Sequence, residues 1–203
     1  MSPGPTRCLL LDLGMVLIDL NYGTLGEKMK ALTGLEPPQL QVMLTADGLV
    51  QRFETGKLEG TQFYHEVCRR IGISVPWPDF LEAWDSVLGQ PMIPDELLAV
   101  LARKIRMWVI SNTNEFHFDF LARHFSFLRH FEGFVLSHEV GALKPDARIF
   151  LSALEKMQTS ASEVLFVDDQ EANVKAAQDL GIGAFQFLNS GQFAAELKSR
   201  GLY

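Results

Sequence analysis

The chain has 203 residues, 47% of them hydrophobic and 21% charged, with a net charge of −7. A chain of this length can bury a sizeable core, and nowhere does it approach the roughly 18 to 20 continuous apolar residues of a membrane span. No dense Lys/Arg run offsets the acidity, so the electrostatic footprint of a nucleic-acid binder is missing and an anionic ligand must be held by local positive charge.

The opening MSPGPTR reads as a frayed tail and not as a signal peptide, because the apolar run after it is short and ends on acids. Cys8 and Cys68 form no C-x-x-C pair, which argues against a disulfide scaffold or zinc site and for a reducing, cytoplasmic compartment. The first apolar run is CLLLD (8–12), a buried strand that stops on a carboxylate. The next ninety residues carry Leu, Met, Phe and Trp at helical spacing, with breakers at Gly34, Pro37-Pro38, Gly56, Gly60 and Pro76 to Pro78. A structureless loop of that length is improbable inside a compact domain. Residues 20–90 therefore read as an inserted α-helical cap, with Pro91 to Pro94 as its return hinge and 95–105 as a core helix. In the cap, QRFETGKLEGTQF could place Arg52, Phe53 or Glu54 over a site as a lid, or be a polar turn between helices.

Four further strands follow at MWVIS (107–111), GFVLS (133–137), VLFVDD (164–169) and GAFQFL (183–188), alternating with amphipathic helices near 115–129, 146–158, 171–180 and 191–200. Such alternation implies right-handed crossovers and a parallel sheet. The expected fold is α/β: a doubly wound, Rossmann-like parallel sheet formed by 1–19 and 91–203, interrupted by the cap at 20–90.

In open parallel sheets the ligand crevice lies at the carboxyl ends of the strands. The residues falling there are Asp12, then Ser111 with Asn112, then Asp168 and Asp169, while Lys144 in GALKPDARIF precedes a helix expected to begin at Pro145. Alone, each has an ordinary structural use as a turn residue, a helix cap or a surface lysine. Together they form an all-oxygen acidic site suited to Mg²⁺, beside a lysine and a hydroxyl suited to a phosphoryl group. An Asp in such a site can itself be the nucleophile. Gly14 would let the turn after Asp12 bring a backbone carbonyl to the metal.

In this order, LLLDLGMVLID, VISNTN, GALKPDARIF and VLFVDDQEAN resemble the four motifs of the haloacid-dehalogenase-like (HAD) hydrolases. The likeness is greatest to the branch holding bacterial sugar-phosphate phosphatases and the phosphatase domain of soluble epoxide hydrolase. The resemblance implies Asp12 as nucleophile, Ser111 and Asn112 on the phosphoryl oxygens, and Lys144 paired with both phosphate and nucleophile. It further implies Asp12, Asp168, Asp169 and the Gly14 carbonyl as Mg²⁺ ligands. Most phosphatases of the family carry a second Asp where this chain has Gly14, to protonate the leaving oxygen and activate water. Its absence favours a good leaving group, an anomeric or aryl phosphate, or a substitute acid such as His117 or a water held by Asp168. The expected activity is Mg²⁺-dependent hydrolysis of a small phosphate ester such as a sugar phosphate, by a monomer or homodimer with no nucleic-acid or membrane partner. The rival readings are a dehalogenase, in which Asp12 would attack carbon, and a non-catalytic protein that binds a phosphorylated ligand.

Overall fold

In the computed structural model, which describes residues 6–203, the apolar runs pair as five parallel strands in one sheet. The MSPGPTR tail lies mostly outside the described residues. The elements in chain order are β1 (Cys8–Leu11), β2 (Ile18–Leu20), α1 (Tyr22–Thr33), α2 (Pro37–Thr45), α3 (Leu49–Glu54), α4 (Gly60–Ile71), α5 (Trp77–Asp85) and β3 (Leu88–Pro91). They continue with α6 (Asp95–Ala102), β4 (Arg106–Ser111), α7 (Glu115–His124), β5 (Gly133–Leu136), α8 (Ser137–Val140) and α9 (Ala147–Met157). The chain closes with β6 (Val164–Asp168), α10 (Glu171–Asp179), β7 (Gly183–Gln186) and α11 (Ser190–Ser199).

The sheet order is β5-β4-β1-β6-β7. Its central strand is buried on both faces, as a parallel sheet covered by helices requires. Alternation divides the core in two. Leu9, Leu11, Met107, Val109, Leu165 and Val167 face α6, α7 and α11, while Cys8, Leu10, Ile110, Val135 and Phe166 face α9 and α10. From β1 the chain builds outward through β4 to β5, then returns to β6 on the other side of β1. That reversal makes the carboxyl ends of β1, β4 and β6 the topological switch point, where a crevice opens.

Helices α1 to α5 gather around a third apolar cluster that includes Met29, Leu40, Phe53, Phe63, Phe80 and Trp84. Phe53 and Phe63 stack at 4.3 Å, and Phe116 of α7 reaches into the same cluster, 4.9 Å from Phe53. Two glycines permit the close approach of this helical unit to the sheet. A Cβ on Gly56 (φ 64) would stand 2.1 Å from the His138 carbonyl oxygen, and one on Gly60 would meet Glu115 and Phe116.

Several boundaries differ from the sequence expectation. The stretch expected as a hinge at Pro91 to Pro94 begins as a strand: β3 pairs antiparallel with β2, forming a two-stranded ribbon through which the chain leaves and re-enters the sheet domain. Three- and four-residue strands carry too little periodicity to stand out in a sequence. The helix expected from Pro145 starts at Ala147, because Asp146 takes the N-cap position and accepts from the Arg148 amide. The helix expected over 115–129 ends at His124 and is followed by a separate 3₁₀ turn, Ser126–His130. The turn after Asp12 places its left-handed residue at Met15 (φ 59), not at Gly14. What the glycine provides there is room, since a Cβ would lie 2.9 Å from Leu20 Cδ1.

Candidate active site

Asp12 leaves β1 at the switch point, its amide donating to the Val167 carbonyl at 2.9 Å, so its carboxyl projects where β1 and β6 end together. Lys144 comes from the loop before α9 and lies almost wholly buried. Its Nζ is 2.6 Å from Asp12 Oδ1 and 2.7 Å from Asp168 Oδ2, and it also donates to the Ile110 carbonyl at 3.3 Å. Asp12 Oδ1 further accepts the Leu13 amide. The other oxygen of Asp168 accepts from the Gln170 amide and from Asn173 Nδ2, at 2.8 and 2.9 Å. Asp168 is thus held on every side, which orients Lys144 toward Asp12.

Asp169 completes the acidic group: one carboxylate oxygen from each of Asp12, Asp168 and Asp169 lies within 4.8 Å of the others. Burial pushes the Asp12 carboxyl upward and Asp168 adds to this, while Lys144 opposes. Burial works against the Lys144 ammonium, but Asp12 and Asp168 outweigh it and the net direction is up. Desolvation and Asp168 likewise push Asp169 up. Three carboxylates beside one ammonium leave two negative charges in excess when all are ionised, and the donors are hard oxygens. That set fits a divalent cation of the Mg²⁺ type.

Asn112 forms a reciprocal pair with the Lys144 backbone: Asn112 Nδ2 donates to its carbonyl at 3.0 Å, and its amide donates to Asn112 Oδ1 at 2.7 Å. The side chain of Asn112 therefore positions Lys144, a use that strand-end spacing alone did not reveal. Ser111 is buried at the end of β4 and lines, with Asn112, Thr113 and Gly14, a chamber of about 620 Å³ between the strand ends and α1 to α3.

His117 borders the same chamber. Its Nδ1 meets Asn114 Nδ2 at 3.1 Å and its Nε2 meets the Trp84 carbonyl at 3.2 Å, so the neutral ring with its proton on Nε2 satisfies both contacts. Burial lowers its pKa to about 4, and the ring stacks on Trp84 at 5.6 Å. With both nitrogens engaged, His117 joins α7 to α5, and the one proton of its neutral ring is directed at the Trp84 carbonyl.

Two residues that sequence reasoning passed over tie the site together. Ser137 Oγ accepts the Thr113 amide at 2.9 Å and donates to the Glu54 carbonyl at 2.6 Å. Asn114 caps α7 through the His117 amide. The Asn cap was visible as a motif; the Ser137 contact joins residues 83 apart and leaves no local trace.

A family model described as haloacid dehalogenase-like hydrolase matches residues 30–181, most of the chain. The chain belongs to the haloacid dehalogenase-like hydrolases. A HAD family enzyme from Bacteroides thetaiotaomicron superposes with a TM-score of 0.87 at 27% identity, covering 96% of this chain and 99% of that one. The same enzyme in complex with magnesium and inorganic phosphate superposes at 0.82, with 28% identity over 91% and 95% of the two chains. Among curated relatives, the sesquiterpene phosphatase astK of Aspergillus oryzae is 28% identical over 155 residues, 73% of this chain and 76% of its own. The D-ribitol-5-phosphate phosphatase of B. thetaiotaomicron is 22% identical over 196 residues, 93% and 95% of the respective chains. This HAD hydrolase has, among its described residues, no helix long and apolar enough to cross a membrane.

Proposed function

We propose that this HAD hydrolase is a Mg²⁺-dependent phosphatase that cleaves a small phosphate ester through an aspartyl-phosphate on Asp12. The observation that carries the reading is Lys144 Nζ lying within 2.7 Å of both Asp12 and Asp168 in a buried site, with Asp169 alongside. In the first step an Asp12 oxygen bonds to phosphorus as the P–O bond to the leaving alcohol breaks; in the second, water attacks phosphorus and frees Asp12 and phosphate. Lys144 favours the ionised form of Asp12 against its burial and offsets charge on the transferring group. Ser111 and Asn112, at the end of β4, would meet the phosphoryl oxygens. Asp12, Asp168, Asp169 and the Gly14 carbonyl would hold Mg²⁺, which when bound supplies further neutralisation of phosphoryl charge.

Residues 20–90 act in this reading as a helical cap over a core of 1–19 and 91–203, and exclude water and large substrates. The two curated relatives, both phosphatases, and the magnesium–phosphate complex of the Bacteroides enzyme support it. Hydrolysis of haloacids needs no metal, which leaves the acidic trio without a use. The test is Mg²⁺-dependent release of phosphate from p-nitrophenyl phosphate by the wild type, abolished by chelator and by Asp12→Asn with the circular dichroism spectrum unchanged. Turnover surviving in Asp12→Asn would overturn the mechanism.

A further inference from the structure

Beyond the phosphoryl end, the 620 Å³ chamber is walled by Leu25, Met29, Leu40, Leu44, Val50 and Trp84, with further apolar residues from the β2–β3 ribbon. A sugar needs polar partners for each hydroxyl, and a buried hydroxyl without one costs about 1–3 kcal/mol. The chamber offers too few: Tyr22, Gln41 and Thr45 border it but are exposed, both nitrogens of His117 are engaged, and beyond the phosphoryl end only the Glu54 carboxyl and Trp84 Nε1 are left without a partner among the described residues. Leu25, Leu44 and Val50 are only half-buried, although they belong to the cap's apolar cluster, because one side of each borders the chamber. Apolar surface left facing an enclosed space is surface that an apolar ligand would cover.

From this we infer that the leaving group is an apolar alcohol, an isoprenoid or long alkyl chain, and that the physiological substrate is its monophosphate, not a sugar phosphate. The inference rests on the phosphatase reading above. The alkyl chain would sit among α1, α2 and α5, with the phosphate at Ser111 and Lys144. Each buried methylene is worth about fourfold in affinity.

Phosphate release is measured with Mg²⁺ on farnesyl monophosphate, decyl phosphate, ribitol 5-phosphate, glucose 1-phosphate and p-nitrophenyl phosphate. We expect kcat/KM at least a hundredfold higher for the two apolar esters than for either sugar ester, and Leu44→Gln to cut that ratio at least tenfold through KM. Turnover of p-nitrophenyl phosphate with sugar esters equal to or better than the apolar ones overturns the substrate class and leaves the phosphatase reading standing. If no ester is hydrolysed, the phosphatase reading fails, and the apolar class is judged by competition with a fluorescent apolar probe. Displacement by farnesyl monophosphate and not by ribitol 5-phosphate then supports it, and no displacement overturns it.

A different observation concerns the acid missing at Gly14. Glu54, at the end of α3, borders the chamber together with Gly14 and Ser111, and its carboxyl has no hydrogen-bond or ion-pair partner among the described residues. Its backbone is fixed to the sheet by Ser137 Oγ, which also binds the Thr113 amide. The geometry points to Glu54 as the proton donor to the leaving oxygen. As the P–O bond breaks, the Glu54 proton passes to the departing alkoxide and gives the alcohol; the resulting carboxylate then takes a proton from the water that attacks the aspartyl-phosphate. Desolvation holds this carboxyl at about 7, with Tyr22 as the titratable neighbour that senses both Glu54 and Asp169.

The readout is sensitivity to the leaving group. Glu54→Gln should lower kcat for decyl phosphate by about a hundredfold and for p-nitrophenyl phosphate, whose phenolate needs no proton, by less than tenfold. Both rates come from one preparation, so any loss of folded protein cancels, and Glu54→Asp should recover part of the decyl phosphate rate. Equal losses on both esters, or none, overturn the assignment.

Discussion

Ser137 Oγ donates to the carbonyl of Glu54 across 2.6 Å and at the same time receives the amide of Thr113. One hydroxyl thereby couples the helix that carries Glu54 to the strand end that carries Ser111. Ser137→Ala leaves two backbone groups unpaired in a fully buried place. The expected cost is about 1–3 kcal/mol of stability, read by urea denaturation, with a fall in kcat larger than any change in KM for p-nitrophenyl phosphate.

Lys144 balances the charge of Asp12 and Asp168 inside the site. Lys144→Ala strips that balance from two buried carboxylates, and breaking a buried ion pair in this way costs about 3–5 kcal/mol. The variant should unfold at markedly lower urea and release no phosphate. Wild-type stability in Lys144→Ala would show that the pair contributes little.

Magnesium should stabilise the fold as well as support turnover, because the acidic trio repels itself without a cation. At a free concentration of 100 times Kd the gain is about 2.7 kcal/mol. Thermal melts with and without Mg²⁺ should separate by several degrees, and Asp169→Asn should shrink that separation.

Asp85 follows Trp84 at the end of α5, and its Oδ1 is buried without a partner. Desolvation raises its pKa to about 7; Arg123 and His124 oppose this and Asp119 adds to it. In the unfolded chain an Asp titrates near ~3.9. Between those values the folded state binds more protons at this group than the unfolded state, so the contribution of Asp85 to stability is full below about pH 4 and is lost as pH rises through about 7. Glu54 contributes in the same sense. Asp85→Asn should flatten this part of the Tm-versus-pH curve and raise Tm at pH 8 by about 2 °C or more; an unchanged slope would remove Asp85 from the account.

Gly14 stands where a Cβ meets only the far end of the Leu20 side chain, at 2.9 Å, and its backbone is outside the left-handed region. A larger residue can therefore enter if Leu20 shifts. In a Glu54→Gln background, Gly14→Asp should restore at least tenfold of the lost kcat for decyl phosphate, measured against the same change in the wild type. No recovery would mean that position 14 cannot place an acid on the leaving oxygen in this chain.

Much of the core was legible in the residues. The runs around Leu10, Val109, Val135, Val167 and Ala184 became the five strands, because fully buried parallel strands are short, continuous and apolar. Their order along the chain also set which residues stand at the carboxyl ends, so Asp12, Ser111 and Asp168 could be named from position alone. Asp169 and Lys144 could be named in the same way, and the family motifs added a role for each residue. The β2–β3 ribbon, the helix start at Ala147 and the engagement of His117 were not legible, since each depends on a partner distant in the chain: Leu88 for Leu20, Trp84 for His117.

Sequence by itself determined the α/β sheet, the inserted helices and the acidic rim, because periodicity and strand-end chemistry are local properties of the chain. Only the tertiary structure decided which side chains face one another: that Asn112 holds the Lys144 backbone, that Ser137 reaches Glu54, and that Leu25, Leu44 and Val50 wall a single apolar chamber. Cavities and long-range hydrogen bonds arise from the packing of separate elements, and no window along a chain contains both of their sides.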